Sequence, residues 1–404
     1  MADRYVGGLR VAAPEPTLHL AKITREVAKT FWGDTAESTL ATINDAFKPG
    51  GSYSWADSRI GMTDNGSIAT HVGVVDFKMR VGGQTRLRTA GLAGIFTVEE
   101  HRRRGWMRQT MNDVLTALQP AGFDISLLYG IDGFYEPFGF RRAWSDYSFW
   151  VKAIDLPSEI DFELEEFTDE HPEEVIELAH RAYTSQTGSV VREGGWFTSL
   201  NEDRGHLWRG ADGAIAGYVF TRLPDEQLLI TDHAGEPNQV LAVVGHLMQR
   251  LERDRVTITC IPPACALARS LRQGNAREVV HHRRNGDALV RIVNLRSTLQ
   301  KLIPEMKGAL SRSLIPGWEG ALRVDGDMES VTLHIEGGQL QIAEARADSP
   351  HVLAGPALSQ LLIGTDDSEE FIEEGTLVAS GEGRELASAL FPARNPAMPA
   401  PDHF

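Results

Sequence analysis

The sequence predicts an α+β protein built from more than one unit, and three observations predict it. Amphipathic helical spacing is followed by an antiparallel meander and then by a strand, a basic loop, a helix and a second strand. A partial echo of that order recurs between positions 151 and 290. After position 290 the pattern changes again, to helical stretches around one strictly alternating hairpin. A chain of 404 residues is also too long for one ordinary core. The expected units are therefore 1–150, 151–290 and 291–404.

In the first unit, Val27, Phe31, Leu40, Ile43 and Phe47 recur at helical spacing and predict one or two amphipathic helices, stopped at Gly50-Gly51. Asp64-Asn65-Gly66 and Gly82-Gly83 are tight-turn sequences beside Val72-Gly73-Val74-Val75 and the run from Leu87 to Phe96, which together read as a meander. A helical pattern follows from Met107 to Leu118, then an apolar strand from Ile125 to Tyr129.

In the second unit, residues 210–219 resemble residues 63–72 as turn-then-strand segments, flanked by predicted helices from Pro172 to Tyr183 and from Gln239 to Leu251. Hairpins share Asp-Gly turns by chance, so the order of elements carries more weight than the echo itself. The acidic run Glu159, Asp161, Glu163, Glu165, Glu166, Asp169 and Glu170 reads as a solvated face. In the third unit, Val331 to Ile335 and Leu340 to Ile342 alternate around Gly337-Gly338. Helices are expected around Leu299 to Ile303, Leu358 to Ile363 and Glu382 to Leu390. The segment after Phe391 is proline-rich and reads, on its own, as a tail without a core.

A net charge of −16 argues against nucleic acid or an anionic membrane as the main partner and would attract a cation, although it also serves solubility alone. Met1 to Arg10 lacks a signal-peptide core and no apolar run approaches the ~20 residues a bilayer needs, so a cytoplasmic protein is expected. Cys260 and Cys265 are the only cysteines, with no histidine beside them. They are expected to be unpaired, and no metal site is expected.

The chemistry concentrates at His101-Arg102-Arg103-Arg104-Gly105, placed between a strand and a helix start. Helix N-terminal N–H groups, the helix dipole and arginine side chains together hold phosphate oxygens. A solvated basic turn would look the same in isolation. About thirty residues on comes Gly133-Phe134-Tyr135-Glu136-Pro137-Phe138-Gly139-Phe140.

With both segments in view, the chain resembles the GNAT acetyltransferase superfamily, whose acetyl-CoA loop reads Arg/Gln-x-x-Gly-x-Gly/Ala. Arg102-Arg103-Arg104-Gly105-Trp106-Met107 matches that loop except that Met107 replaces the small last residue, as in the Eis-like (enhanced intracellular survival) branch. The length and a chain ending in Phe404 resemble that branch too. The resemblance implies tandem GNAT folds, the first active and the second degenerate, followed by a unit similar to a sterol carrier protein. It implies acetyl-CoA as cosubstrate, its diphosphate on the backbone from Arg103 to Arg108 with charge from Arg102 and Arg103. Arg104, Gly105, Trp106 and Met107 belong to the same loop. The pantetheine arm would lie along Ile95, Phe96 and Thr97, with Gly130 and Ile131 at the end of the neighbouring strand.

By the same resemblance Tyr135 is the general acid, with Tyr129 a weaker rival, and the carboxylate of Phe404 is the general base, the tail threading back to the first unit. The second copy carries Asp232 and Glu236 where the basic loop would be, so no second cosubstrate site is expected. The expected acceptor is an amine of a small polycation such as an aminoglycoside or a polyamine, and a homo-oligomer, a hexamer, is implied. Protein lysine or N-terminal acetylation, and a non-catalytic binding protein using the carrier-like unit, stay open. Trp32, Trp196, Trp208 and Asp402 are groove candidates by residue type alone.

Overall fold

The computed structural model describes residues 4–168, 172–193, 204–224 and 227–404. Along the chain come β1 (Arg4–Val6), β2 (Leu9–Ala12), α1 (Pro16–Trp32), α2 (Ala36–Ala46), β3 (Arg59–Met62), β4 (Ile68–Val81) and β5 (Thr85–Thr97). They are followed by α3 (Trp106–Leu118), β6 (Ile125–Ile131), β7 (Arg141–Trp144), β8 (Asp146–Lys152), β9 (Glu165–Glu166) and α4 (Pro172–Ala182). Next are β10 (Arg204–Arg209), β11 (Ile215–Arg222), β12 (Leu228–Ala234), α5 (Pro237–Arg250), β13 (Arg255–Ile258), α6 (Ala266–Gln273), β14 (Arg277–His281) and β15 (Asn285–Ile292). The last part holds α7 (Leu295–Arg312), β16 (Gly320–Asp325), β17 (Ser330–Glu336), β18 (Gln339–Glu344), β19 (His351–Ala354), α8 (Leu358–Ile363), α9 (Ser368–Glu373), β20 (Val378–Ser380) and α10 (Gly383–Leu390).

Three sheets organise these elements. The first runs β1-β2-β3-β4-β5-β6-β15-β7, the second β14-β8-β13-β12-β11-β10-β9 and the third β18-β17-β16-β19-β20. The chain is a mixed α/β protein. Position 150 falls inside β8, which belongs to the second sheet, and β15, from the 151–290 stretch, crosses back to pair between β6 and β7. The helices follow local signals: Pro16 opens α1 and Gly33, at φ +52°, closes it, while Asn294 accepts a hydrogen bond from Ser297 N at the start of α7.

One face of the first sheet packs Met111, Val114 and Leu118 of α3 against Val72, Val74, Leu92 and Leu128. The other face, with Phe77, Met79 and Leu127, shares a core with Leu299 and Leu302 of α7 and with the third sheet. The second sheet has its own core under α5 and α6. The acidic run is a solvated face at Glu159, Asp161, Glu163 and Glu166, while Ile160, Phe162 and Leu164 turn onto that core; Glu165 departs from it, half-buried and paired with Arg209 Nε at 2.9 Å. Asp169 and Glu170 lie outside the described residues.

Candidate active site

The site begins where two strands part. β5 and β6 pair in parallel from Thr89–Ile125 to Leu92–Leu128 and no further. Beyond that point β5 keeps only β4, through Ala93–Gly73, Phe96–His71 and Thr97–Thr70, while β6 keeps β15, through Tyr129–Ala288 and Gly130–Asp287. A wedge therefore opens between residues 93–97 and 129–131, and the main chain of β5 presents an unpaired edge to it. Such an edge accepts an extended, amide-bearing chain as an added strand would.

A bulge sits on that edge. The β4–β5 register shifts between His71 and Gly73, and Gly94 opposite it adopts φ +57°. His71 is fully buried and braces the bulge: its Nδ1 lies 2.7 Å from the Gly94 carbonyl and its Nε2 2.8 Å from the Tyr53 hydroxyl. The carbonyl can only accept, so Nδ1–H donates to Gly94 and Nε2 accepts from Tyr53. Burial, outweighing the Gly94 hydrogen bond that pulls the other way, lowers the imidazole to about 4 and so keeps it in this neutral form.

The basic loop closes the same end of the sheet. Arg103 and Gly105 both take left-handed backbone, at φ +63° and +76°. Left-handed residues in a loop turn successive N–H groups toward one side, a concavity suited to anions. Gly105 is the N-cap of α3 with no side-chain cap, and nothing lies within 4 Å of where its Cβ would be. The first-turn N–H groups of α3 have no helical acceptor of their own. Arg102, Arg103, Arg104 and Arg108 are exposed around them, with Arg104 resting 5.0 Å from the Trp106 ring. Phe96 faces away from the loop, stacked on His71 in the core beneath α1, whereas Trp106 packs on Leu9 and Val11 and carries the loop's His101 and Arg104 against its ring. Phe96 therefore borders the site through its main chain alone. Ile131, at the wedge mouth, is 53% exposed.

Tyr135 and Phe404 flank β6 from opposite faces. Tyr135 lies in the α3-side cluster, where Gly130 leaves its ring room: a Cβ at 130 would stand 2.7 Å from Tyr135 Cδ2. Burial pushes its phenol up to about 12. Phe404 lies on the other face, 5.3 Å from the Phe77 ring and 5.7 Å from Tyr129. Tyr129 is engaged on that face, its hydroxyl donating to Met398 Sδ at 3.4 Å and its ring 4.4 Å from His403.

The proline-rich segment, read from sequence as a tail without a core, is buried over much of its length. Ala397 N donates to Thr187 O, Arg394 N to Gly364 O, and Met398 joins the shared core. Two groove candidates are corrected. Trp208 is fully buried, stacked on Phe162 and bonded to Gln239, and Asp402 is 1% exposed in an ion pair with Arg192. Trp32 is 43% exposed at the end of α1, and Trp196 lies outside the described residues. The start of α5, beside the second sheet, is capped by Glu236, which accepts from Gln239 N. Sequence reasoning missed His71, Tyr53 and Arg192, whose partners lie 18 to 210 positions away and leave no local pattern.

Residues 26–143 match the family model of an acetyltransferase (GNAT) domain. No curated protein matches the chain. Among solved structures, the chain is similar to a conserved protein of unknown function and probable N-acyltransferase from Enterococcus faecalis V583, at 15% identity over 98% of this chain and 100% of that one, with a TM-score of 0.77. It is also similar to a GCN5-related N-acetyltransferase from Anabaena variabilis, at 17% identity, with the same coverage and a TM-score of 0.74. Eis1 from Mycobacterium abscessus gives 16% identity, again with that coverage, and a TM-score of 0.68. The matched domain, within a fold shared over nearly the whole chain, supports an acyltransferase enzyme.

Proposed function

We propose that the protein transfers an acetyl group from acetyl-CoA to a primary amine of a small cationic acceptor, of the aminoglycoside or polyamine kind. The observation that carries this reading is the wedge beyond Leu92–Leu128, with a basic, uncapped helix start at the same end of the sheet. The diphosphate suits the N–H groups of residues 103–108 and the guanidinium groups of Arg102 and Arg103. The pantetheine arm suits the edge of Ile95, Phe96 and Thr97, opposite Gly130 and Ile131. A backbone N–H of that edge, set by the bulge at Gly94, would polarise the thioester carbonyl.

In this mechanism the acceptor ammonium gives a proton to the Phe404 carboxylate, directly or through water. The amine nitrogen then bonds to the carbonyl carbon, the C–S bond breaks with its electron pair going to sulfur, and the nitrogen's surplus proton passes to that sulfur by way of the Tyr135 hydroxyl or water. Tyr135 stands as the donor to that sulfur. A phenol near 12 stays protonated at neutral pH, and against a thiol of reference pKa about 8.5 it serves chiefly as a hydrogen-bond donor to the departing thiolate. A carboxylate with a reference value near 3.5 is a weak base, so its negative charge also serves to hold the incoming cation.

The second sheet is read as a degenerate GNAT-like copy and the third as a sterol-carrier-like layer, both in a soluble homo-oligomer. Among the described residues, no helix is long and apolar enough to cross a membrane. The test is a panel of polyamines, aminoglycosides and lysine peptides with acetyl-CoA, read as released thiol. Thiol release with small polyamines is expected. Release with lysine peptides alone would move the acceptor to proteins, and tight acetyl-CoA binding with no release from any amine would overturn the transferase reading.

A further inference from the structure

The tail reaches the first sheet over a buried ionic cluster supplied by the second unit. Arg192 Nη1 lies 2.7 Å from Asp232 Oδ2 on β12, and Arg192 Nε lies 2.7 Å from Asp402 Oδ1 in the tail. All three side chains are at most 1% exposed. Asp232 is well supported without the tail: Tyr183 and Tyr218 donate to its two oxygens, and the His233 N–H donates to Oδ1. Asp402 adds a second carboxylate to the guanidinium. Arg80, whose guanidinium also feels the Asp402 charge, lies on the neighbouring stretch of β4 and helps balance it.

We propose that Arg192 is a positioning residue, gripping Asp402 so that the last two residues are held against β5 and β6; this rests on the transferase reading of the site. The chain argues for it. The tail is pinned at Arg394 by Gly364 O and again at Ala397 by Thr187 O, where Gly188 leaves space that a Cβ would fill, 2.7 Å from Ala397 O. Pro399 and Pro401 have no N–H to donate, so neither can anchor the segment through its own amide. Asp402 is the last ionic anchor, and two residues span at most about 7 Å. A charge-assisted bond there fixes where the Phe404 ring and carboxylate lie. Buried carboxylates left without a cation are costly, so the tail docks with the pair made or not at all.

The test uses the full chain with Asp402→Asn, nearly isosteric and confined to the tail, and Arg192→Lys as the charge-preserving variant. Carboxypeptidase Y release of Phe404, followed by mass spectrometry, reads docking without any need for activity. Release at least tenfold faster from Asp402→Asn is expected, with Arg192→Lys in between and the thermal midpoint little changed. Release no faster than wild type would overturn the proposal.

In turnover, kcat should fall at least tenfold while the acetyl-CoA dissociation constant stays put. In a chain already lacking Phe404, Asp402→Asn should then have no further effect on kcat. A further loss of equal size would also overturn it. If the wild type releases no thiol from any amine, the transferase reading fails on its own, while the carboxypeptidase comparison still reads the grip.

Discussion

The Phe404 ring rests on Gly91 of β5: a Cβ at position 91 would lie 2.7 Å from Phe404 Cε2 and 2.8 Å from its Cζ. The tail therefore docks on a place on the sheet where only glycine leaves room. Gly91 itself is paired to both neighbours, through Val75 and Leu127, so the spot is rigid.

Gly91→Ala should accordingly displace the tail, with a shift of the Phe77 ring, whose Cε1 would lie 2.9 Å from the new Cβ, while the strand pairing is kept. The expected result is a kcat lower by roughly 10- to 100-fold, the cost of about an ångström of misplacement, with acetyl-CoA affinity unchanged. Steady-state kinetics beside calorimetric titration would check it. Unchanged kcat would detach the Phe404 position from the chemistry.

Tyr135→Phe keeps the ring in its cluster and removes only the donor. Turnover should fall by about 10²- to 10⁴-fold with little change in cosubstrate binding. Since burial pushes the wild-type phenol up to about 12, the kcat profile should show no alkaline decline attributable to this group below about pH 10. A decline centred near pH 8 that vanishes in the variant would contradict the raised phenol, and unchanged turnover in the variant would contradict the acid assignment.

His71 links the site to stability in acid. Its imidazole is held near 4 in the fold, chiefly by burial, against 6.5 in an unfolded chain, so the unfolded state takes up the proton first as pH falls. The contribution is full above about pH 6.5 and is lost progressively down to about pH 4, up to about 3 kcal/mol in all. Denaturant unfolding at pH 7.5 and 4.5 should show His71→Gln losing less stability than wild type between them, by about 2–3 kcal/mol. Equal losses would mean that His71 is not neutral in the fold.

Arg103→Ala, at an exposed left-handed position, should weaken acetyl-CoA binding by about 1.5–3 kcal/mol, roughly 10- to 100-fold, and flatten its salt dependence. The same change should leave thermal stability unaltered, since Ala and Arg both carry a Cβ at this positive φ. Titrations at two ionic strengths would show it, and unaltered affinity would place the diphosphate elsewhere.

What could be read from the sequence was what is written locally. The basic loop before α3, the turns at Gly66 and Gly82, the hairpin at Gly337 and the helix from Leu358 to Ile363 each carry their own periodicity or turn residues, and each forms. The strand β15 is not read from the sequence, and its place beside β6 could not be, because a pairing across some 160 positions depends on where two sheets meet. The site divides along the same line. Its loop and the Tyr135 motif are contiguous, whereas the His71–Gly94 brace and the Arg192–Asp402 pair join positions 23 and 210 apart. The proline-rich tail misled for the same reason, since its core is supplied entirely by other segments.

The most direct measurement is a crystal structure of the full chain with coenzyme A. The diphosphate should lie over the N–H groups of residues 103–108 and the pantetheine in the wedge between residues 93–97 and 129–131, with its sulfur within reach of Tyr135. Coenzyme A bound against another sheet, or absent from this wedge at concentrations that saturate the protein in solution, would contradict it.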